Sequence, residues 1–430
     1  MNYDELLNAA TRNSLCLVEL VRPGERIQVV STARLRRAHT VSPRGVRSRT
    51  PQSEGFTLLG LAHDGRDVHI GQDGLAAHVG VELVSTAREL APHGRAYRDR
   101  TPSWSPHRWD RDRFLDQELG TNPAGALTEL QAKLTYWATE TAHRQCLDMK
   151  VVKCAVTEHV TAEAFASSDG SAVGFAQTWS EVRVLYELEK GGRTLRLWAS
   201  RHTGRLQDLH VEDLTVEAAW RGGALLAPVT DERSADDLVL SPRPSATVLR
   251  VLVQDMVERE QPMINMMADL PCSLVDDPHA ALGGHSRPFD HEGISTQATV
   301  LLDRHGRRTE LNGNAVRSAA SLTPEYFPSN VRLEADPFDV PVEYTGLLGY
   351  GTRGEGTQGM RAGDRITFRV DVARVQQGEV VSRNAPVVFS ATALDILSAI
   401  TGANAALCYF PWRDYSTAGS WLRLTPSFAV

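Results

Sequence analysis

The sequence has almost no lysine, few cysteines and no long apolar run. Lys133, Lys150, Lys153 and Lys190 are its only lysines, and arginine supplies the rest of the positive charge. Acidic residues still outnumber basic ones, 53 to 46, for a formal net charge of −7. A chain of that sign has no general field for a phosphate backbone, which argues against a nucleic-acid partner. Nothing approaches the roughly 18 uncharged apolar residues of a membrane-spanning helix. The opening residues, MNYDELLNAATRN, lack a basic stretch followed by an apolar core, so no signal peptide is predicted. The five cysteines, Cys16, Cys146, Cys154, Cys272 and Cys408, are scattered, odd in number and without a CxxC pair. That excludes a disulfide framework or zinc knuckle and predicts reduced thiols in a cytoplasmic protein.

What is present is ordinary globular material, 42% hydrophobic and 23% charged, so no long disordered stretch is expected. At 430 residues the chain exceeds one ordinary core, and two or three domains are predicted. Residues 1–90 read as an N-terminal α+β domain. It comprises a short helix over 3–13, strands at 16–21 and from Arg26, and a hairpin turning at Asp64-Gly65. Residues 91–122 are rich in Pro, Arg and Trp and read as a proline-pinned linker or loop. Arginines beside Trp104 and Trp109 could stack on a nucleic acid, but the acidic balance favours the plain loop. Residues 123–235 read as a middle α+β domain. A helix over 123–145 carries Leu127, Leu130, Leu134, Trp137 and Ala138 on one stripe, and Gly191-Gly192 joins two strands as a hairpin. Residues 236–430 read as a β-rich C-terminal domain with a central helix over 245–258, capped by Ser245, and a late helix from Ala393. The fold class predicted is α+β: an N-terminal layered region, then a large, mainly antiparallel sheet domain.

Several segments together carry a resemblance. Phe165-Ala-Ser-Ser-Asp-Gly-Ser, Leu240-Ser-Pro-Arg-Pro-Ser-Ala-Thr-Val-Leu and Val300-Leu-Leu-Asp-Arg-His-Gly are three of them. The most specific is Asp276-Asp-Pro, Gly284 and Phe289-Asp-His-Glu-Gly-Ile-Ser-Thr-Gln, and the last is Asp395-Ile-Leu-Ser-Ala-Ile-Thr-Gly-Ala-Asn. In order and spacing over residues 160–430 they resemble the TldD/PmbA (modulator of gyrase-like) metallopeptidase family. The resemblance implies two sister subunits. One, the TldD-like sister, bears His-Glu-x-x-x-His on the central helix and holds zinc with a further cysteine near the C-terminus. Peptides enter a cavity of the dimer and are cut by a zinc-activated water.

By the same resemblance, Arg250 stands where the first histidine belongs, Val251 where the glutamate belongs and Asp255 where the second histidine belongs. Arginine offers zinc no lone pair and adds a fixed charge, and valine cannot be a general base. The chain therefore resembles the TldE/PmbA-like sister, with no metal or catalytic residue of its own and zinc expected in the partner. Other clusters have plainer readings. His291-Glu292 lacks a second histidine one turn on and reads as a turn. His279, His285 and His291 with Asp276, Asp277, Asp290 and Glu292 could suit a metal, but loop residues of these types more often cap turns. Asp255 and Glu258 read as a solvated helix face, and Cys408 as a buried thiol. Gly349-Tyr-Gly-Thr-Arg-Gly-Glu-Gly lacks the Lys-Ser/Thr of a phosphate loop. Asp290, His291, Glu292, Gly349 and Arg353 are the candidate cavity residues.

The functional expectation is a non-zinc subunit of a heterodimeric peptidase or amide hydrolase. Its substrate would be an unfolded peptide, a peptide-antibiotic precursor or an amide-bearing metabolite. The alternatives are a self-sufficient hydrolase rebuilt around 276–292, and a homodimeric peptide-binding module.

Overall fold

The computed structural model describes residues 2–42, 45–96, 111–230, 237–258, 269–289, 293, 295–307, 328–340, 344–352, 360–362, 365–411 and 416–425. The class is α+β, and most strand pairs are antiparallel.

The first helix, α1 (Tyr3–Val18), starts at a capping box: Asn2 Oδ1 accepts the Glu5 N–H at 2.8 Å, and Glu5 Oε2 accepts the Asn2 N–H at 2.7 Å. It runs through the segment 16–18 that alternation had assigned to a strand. The reason is a polar stretch on its buried face. Leu6, Ala10, Asn13, Ser14 and Leu17 are all buried, a helical stripe whose middle is not apolar. Asn13 Nδ2 donates to Ser31 Oγ and Thr57 Oγ1, and Ser14 Oγ donates to the Ala164 carbonyl, so the polar pair is satisfied inside.

Strands β1 (Glu25–Ser42), β2 (Gln52–His63), β3 (Arg66–Asp73), β4 (Asp148–Ser167), β5 (Ala172–Lys190) and β6 (Arg193–Thr203) form one sheet in the order β3-β2-β1-β4-β5-β6. Strands from both expected N-terminal and middle units thus share a sheet, joined where β1 pairs with β4 from Gln28↔Ser167 to Val41↔Cys154. The expected hairpins are present. Asp64 and Gly65 take φ of 50° and 72°, and Gly191 and Gly192 take 58° and 75°, the double left-handed geometry of a two-residue turn.

One face of this sheet is covered by helices. Leu6 and Ala10 of α1 pack with Ala33, Leu35, Val160 and Ala162. Helix α2 (Ala77–Leu90) places Leu83, Val84 and Ala87 over Ile27, Val29, Leu59 and Leu61. Helix α3 (Pro123–Arg144) lays Leu127, Leu130 and Leu134 on Val156, Val182 and Val184. Period-2 alternation then commits residues 32, 34 and 36 of β1, and their neighbours on β4 and β5, to the opposite face.

Helix α4 (Val211–Leu226) leads into the C-terminal part, where two further sheets enclose α5 (Pro242–Glu258). Val248, Leu249, Val251, Leu252 and Val253 of α5 sit in one core with Leu238, Leu274, Val331, Ile366 and Phe368. The opposite side carries Arg243, which is exposed, and Arg250 and Gln254, which are half-buried, so the helix is amphipathic and its apolar side faces the core. Ser245 is not its cap: the helix begins at Pro242, and Ser245 Oγ donates to the Pro242 and Ser420 carbonyls from inside the first turn. The late helix, α6 (Ala393–Ser398), is capped by Thr392 with Asp395. Residues 97–110 of the expected linker, with Trp104 and Trp109, lie outside the described residues, while 111–114 and 117–121 are helical. Among the described residues no helix is long and apolar enough to cross a membrane.

Candidate functional site

The helix-free face of the first sheet carries a lattice of polar side chains whose order follows from strand register. One row runs Thr32, Glu163, Phe175 across β1, β4 and β5. The next runs Glu54, Arg34, Thr161, Gln177, starting on β2. The third runs Gln52, Arg36, His159, Trp179. These rows floor a cavity of about 690 Å³, roofed by Gly284, His285, Ser286, Arg287 and Pro411. That volume is in the range of ligand-binding clefts.

The roof is pinned by the carboxylates that sequence alone offers as metal ligands. Asp276 Oδ1 accepts the N–H groups of Ser329 and Asn330 at 2.8 and 2.9 Å. Asp277 accepts the His279 N–H at 2.9 Å and pairs with Arg332. Asn330 Nδ2 donates to Ser286 Oγ at 2.9 Å, and its Oδ1 accepts the His285 N–H at 3.3 Å. His285 Nδ1 lies 2.9 Å from Ser416 Oγ, and His279 Nε2 lies 3.1 Å from Thr296 Oγ1. The Asp276–His285 segment is therefore a folded strap over the cavity. Among the described residues no three or more His, Cys, Asp or Glu side chains group to hold a metal. Asp290, His291 and Glu292 lie outside the described residues, as does Arg353. Gly349 lies buried in the strand Gly346–Thr352, where an added Cβ would meet Leu240 and Val370 side chains at 2.5 and 2.8 Å.

Within the cavity, His159 stacks flat on Trp179, with ring centroids 3.8 Å apart and planes 2° from parallel. Burial, with Arg36 and Arg34 adding repulsion, brings the His159 pKa down to about 4. Burial pushes the Glu163 carboxyl the other way, opposed by Arg287 and by a 3.4 Å hydrogen bond from Thr32 Oγ1. The site thus holds a neutral imidazole and a carboxyl displaced toward its protonated form. A histidine whose folded pKa lies below its unfolded value stabilises the fold above the unfolded pKa and loses that contribution as pH falls. Between about pH 6.5 and 4 the unfolded chain takes up the His159 proton and the folded chain does not. Glu163 acts with the opposite sign, so the histidine is isolated by difference. A His159→Phe variant, which keeps the stack, should lose part of the acid-side fall in melting temperature, worth about 2 kcal/mol at most after solvent screening. Parallel melting curves of variant and parent across that window would contradict it.

Beyond Trp179 the rings continue to His202, at 5.7 Å, and Phe410, at 6.0 Å from His202. Arg243 of α5 lies over Phe410 at 5.7 Å and donates to Ser200 Oγ at 2.9 Å. Arg243, Thr247, Arg250 and Gln254 follow at helical spacing along one stripe of α5, and Arg250 is half-buried. Beside this chain of rings Arg201 is buried with a side chain 2% exposed, its Nη2 3.0 Å from Glu217 Oε2. Its Nη1 donates to Cys408 Sγ at 2.7 Å.

No family model matches the sequence, and no curated protein matches it. Solved structures do. TldE from Thermococcus kodakarensis superposes with a TM-score of 0.67 at 14% identity, covering 98% of each chain. A candidate modulator of DNA gyrase from Thermotoga maritima gives 0.64 at 14% identity, over 98% of this chain and 97% of that one. A second such protein, from Bacteroides thetaiotaomicron, gives 0.65 at 15% identity, over 99% and 98%. The chain has the fold of these TldE and gyrase-modulator structures.

At the positions where the resemblance places the zinc motif, the described side chains are those of Arg250 and Val251. Val251 is 7% exposed and packs in the α5 core, so its position faces apolar side chains and not a ligand. Arg250 brings a cation where a neutral imidazole would be needed. Asp255 continues the helix, but its side chain, like that of Glu258, lies outside the described residues. The Cys408 sulfur accepts a hydrogen bond from a guanidinium, and burial pushes its pKa up to about 12. Cys408 is half-buried by exposed area, yet the thiol is held in its neutral form. Sequence reading missed Arg201, Arg34, Arg36, His159, Glu163 and Trp179. Polar residues at every second position of β1, β4 and β5 were the available signal.

Proposed function

We propose that this chain is the zinc-free subunit of a two-chain TldD/TldE-like hydrolase. In this reading it completes a cavity in which a peptide or amide-bearing substrate meets the TldD-like sister, and it works in the cytoplasm. The observation that carries the reading is the state of α5: a core valine and a half-buried arginine occupy the positions where the sister would carry its glutamate and first histidine. The near full-length likeness to a TldE supports it, as do cysteines that are all free. When bound by the sister, zinc would activate water for attack on the amide. This chain's part is positioning: the Asp276–His285 strap and the polar rows beneath it would bind and orient the chain to be cut.

The test is co-expression with a homologue of similar length bearing His-Glu-x-x-x-His. A stable one-to-one complex that cleaves peptides, where neither chain alone does, is the expected result. A chain that stays a homodimer in the sister's presence, with binding but no cleavage, would point to a peptide-binding module instead.

A further inference from the structure

We propose that the cavity on the first sheet is a carboxylate-binding site, reading an acidic group of an extended peptide through Arg36. Arg34, Arg36 and Arg287 line the cavity, against the two acids Glu54 and Glu163. Arg34 lies 3.6 Å from Glu54, and Arg287 is electrostatically coupled to Glu163. Arg36 is different: its row neighbours are Gln52 on one side and His159 on the other, both without negative charge. Among the described residues it makes no ion pair. The cavity is thus locally positive on a chain of net charge −7, so the excess is a property of the site and not of the surface at large.

Geometry selects an extended ligand. Arg36, Arg34 and Thr32 are two residues apart along β1, so the rows are spaced by about 7 Å. An extended peptide repeats its side-chain direction at the same interval. A chain laid along β1 with its acid on Arg36 would set preceding alternate residues over the Arg34–Glu54 pair and then over Glu163. The guanidinium fork accepts a planar carboxylate through two parallel hydrogen bonds, which suits it better than a point charge would. One face of Trp179 is already covered by the His159 ring. The selective element proposed is the Arg36 charge.

This deepens the reading of the chain as a substrate-shaping subunit and rests on it for its biological meaning, but the binding step is measurable on this chain alone. Calorimetric titration would use an N-acetylated tetra-alanine as the free acid, the same peptide as the C-terminal amide, an amidated version with one internal glutamate, and inorganic phosphate. The free acid should bind at least tenfold more tightly than the amide, and Arg36→Gln should abolish that preference. Arg36 is exposed, so the variant should keep the parent melting temperature. Binding of the internal-glutamate peptide as tight as that of the free acid would support the site and assign the carboxylate to a side chain. Equal binding of acid and amide, an unchanged preference in Arg36→Gln, or phosphate binding as tight as the free acid would overturn it. Loss of the acid preference would leave complex formation with the sister intact, and failure to form that complex would leave the acid preference intact, so the two readings fail separately.

Discussion

Replacing Arg201 with alanine should lower the unfolding free energy by about 3–5 kcal/mol, because it strands a partly buried carboxylate without its counter-charge. Glu217, with a side chain 14% exposed, pairs with this guanidinium at 3.0 Å, and Cys408 Sγ accepts a hydrogen bond from its Nη1. The substitution also opens a cavity the size of a long side chain. Two controls separate the causes. Arg201→Met keeps much of the volume, so any loss it shares with alanine is electrostatic. Adding Glu217→Gln to Arg201→Met should then recover part of the loss, since the orphaned charge has been removed. Urea unfolding curves for the four proteins measure this directly. A loss under about 1 kcal/mol in Arg201→Ala would show that the pair is no more than a surface ion pair.

The second large effect comes from rebuilding the family's glutamate. Val251→Glu should cost about 4 kcal/mol or more, or prevent folding, because the new carboxyl enters an apolar core with no partner. Its neighbours in that core include Leu238, Leu274, Val331, Ile366 and Phe368. Arg250→His, at a half-buried position on the polar stripe, should fold normally and still bind no zinc. Thermal melts and circular dichroism of the two single variants give the comparison. A Val251→Glu protein as stable as its parent would mean that this side of α5 faces an open site.

These two cases show which features were readable in the residues. Asp64-Gly65 and Gly191-Gly192 were legible as hairpins because only a few residue types tolerate left-handed geometry at both turn positions. The far end of α1 was not legible, since Asn13 and Ser14 break the apolar stripe and their partners, Ser31, Thr57 and Ala164, come from distant strands. The proposal for Arg250 and Val251 rests on residue type alone, since arginine and valine cannot perform the chemistry that the resemblance assigns to those positions. The cavity was not. Alternation reveals that Arg34, Arg36, His159 and Glu163 share a face with one another's strands, but not that residues 284–287 fold over them. Asp276, Asp277, His279 and His285 were visible as a cluster, and structure gives them a different task. Their oxygens and ring nitrogens are taken up by backbone N–H groups, Arg332, Thr296 and Ser416. Spacing cannot distinguish a ligand from a pin when partners such as Ser329, Arg332 and Ser416 lie fifty or more residues away.

The most direct test of the account is elemental analysis of the purified pair and of each chain alone, after dialysis against zinc and then against a weak chelator. The account predicts one tightly held zinc per pair, retained by the sister when it is purified alone, and none retained by this chain. One zinc held per copy of this chain, with peptide cleavage in the sister's absence, would contradict it.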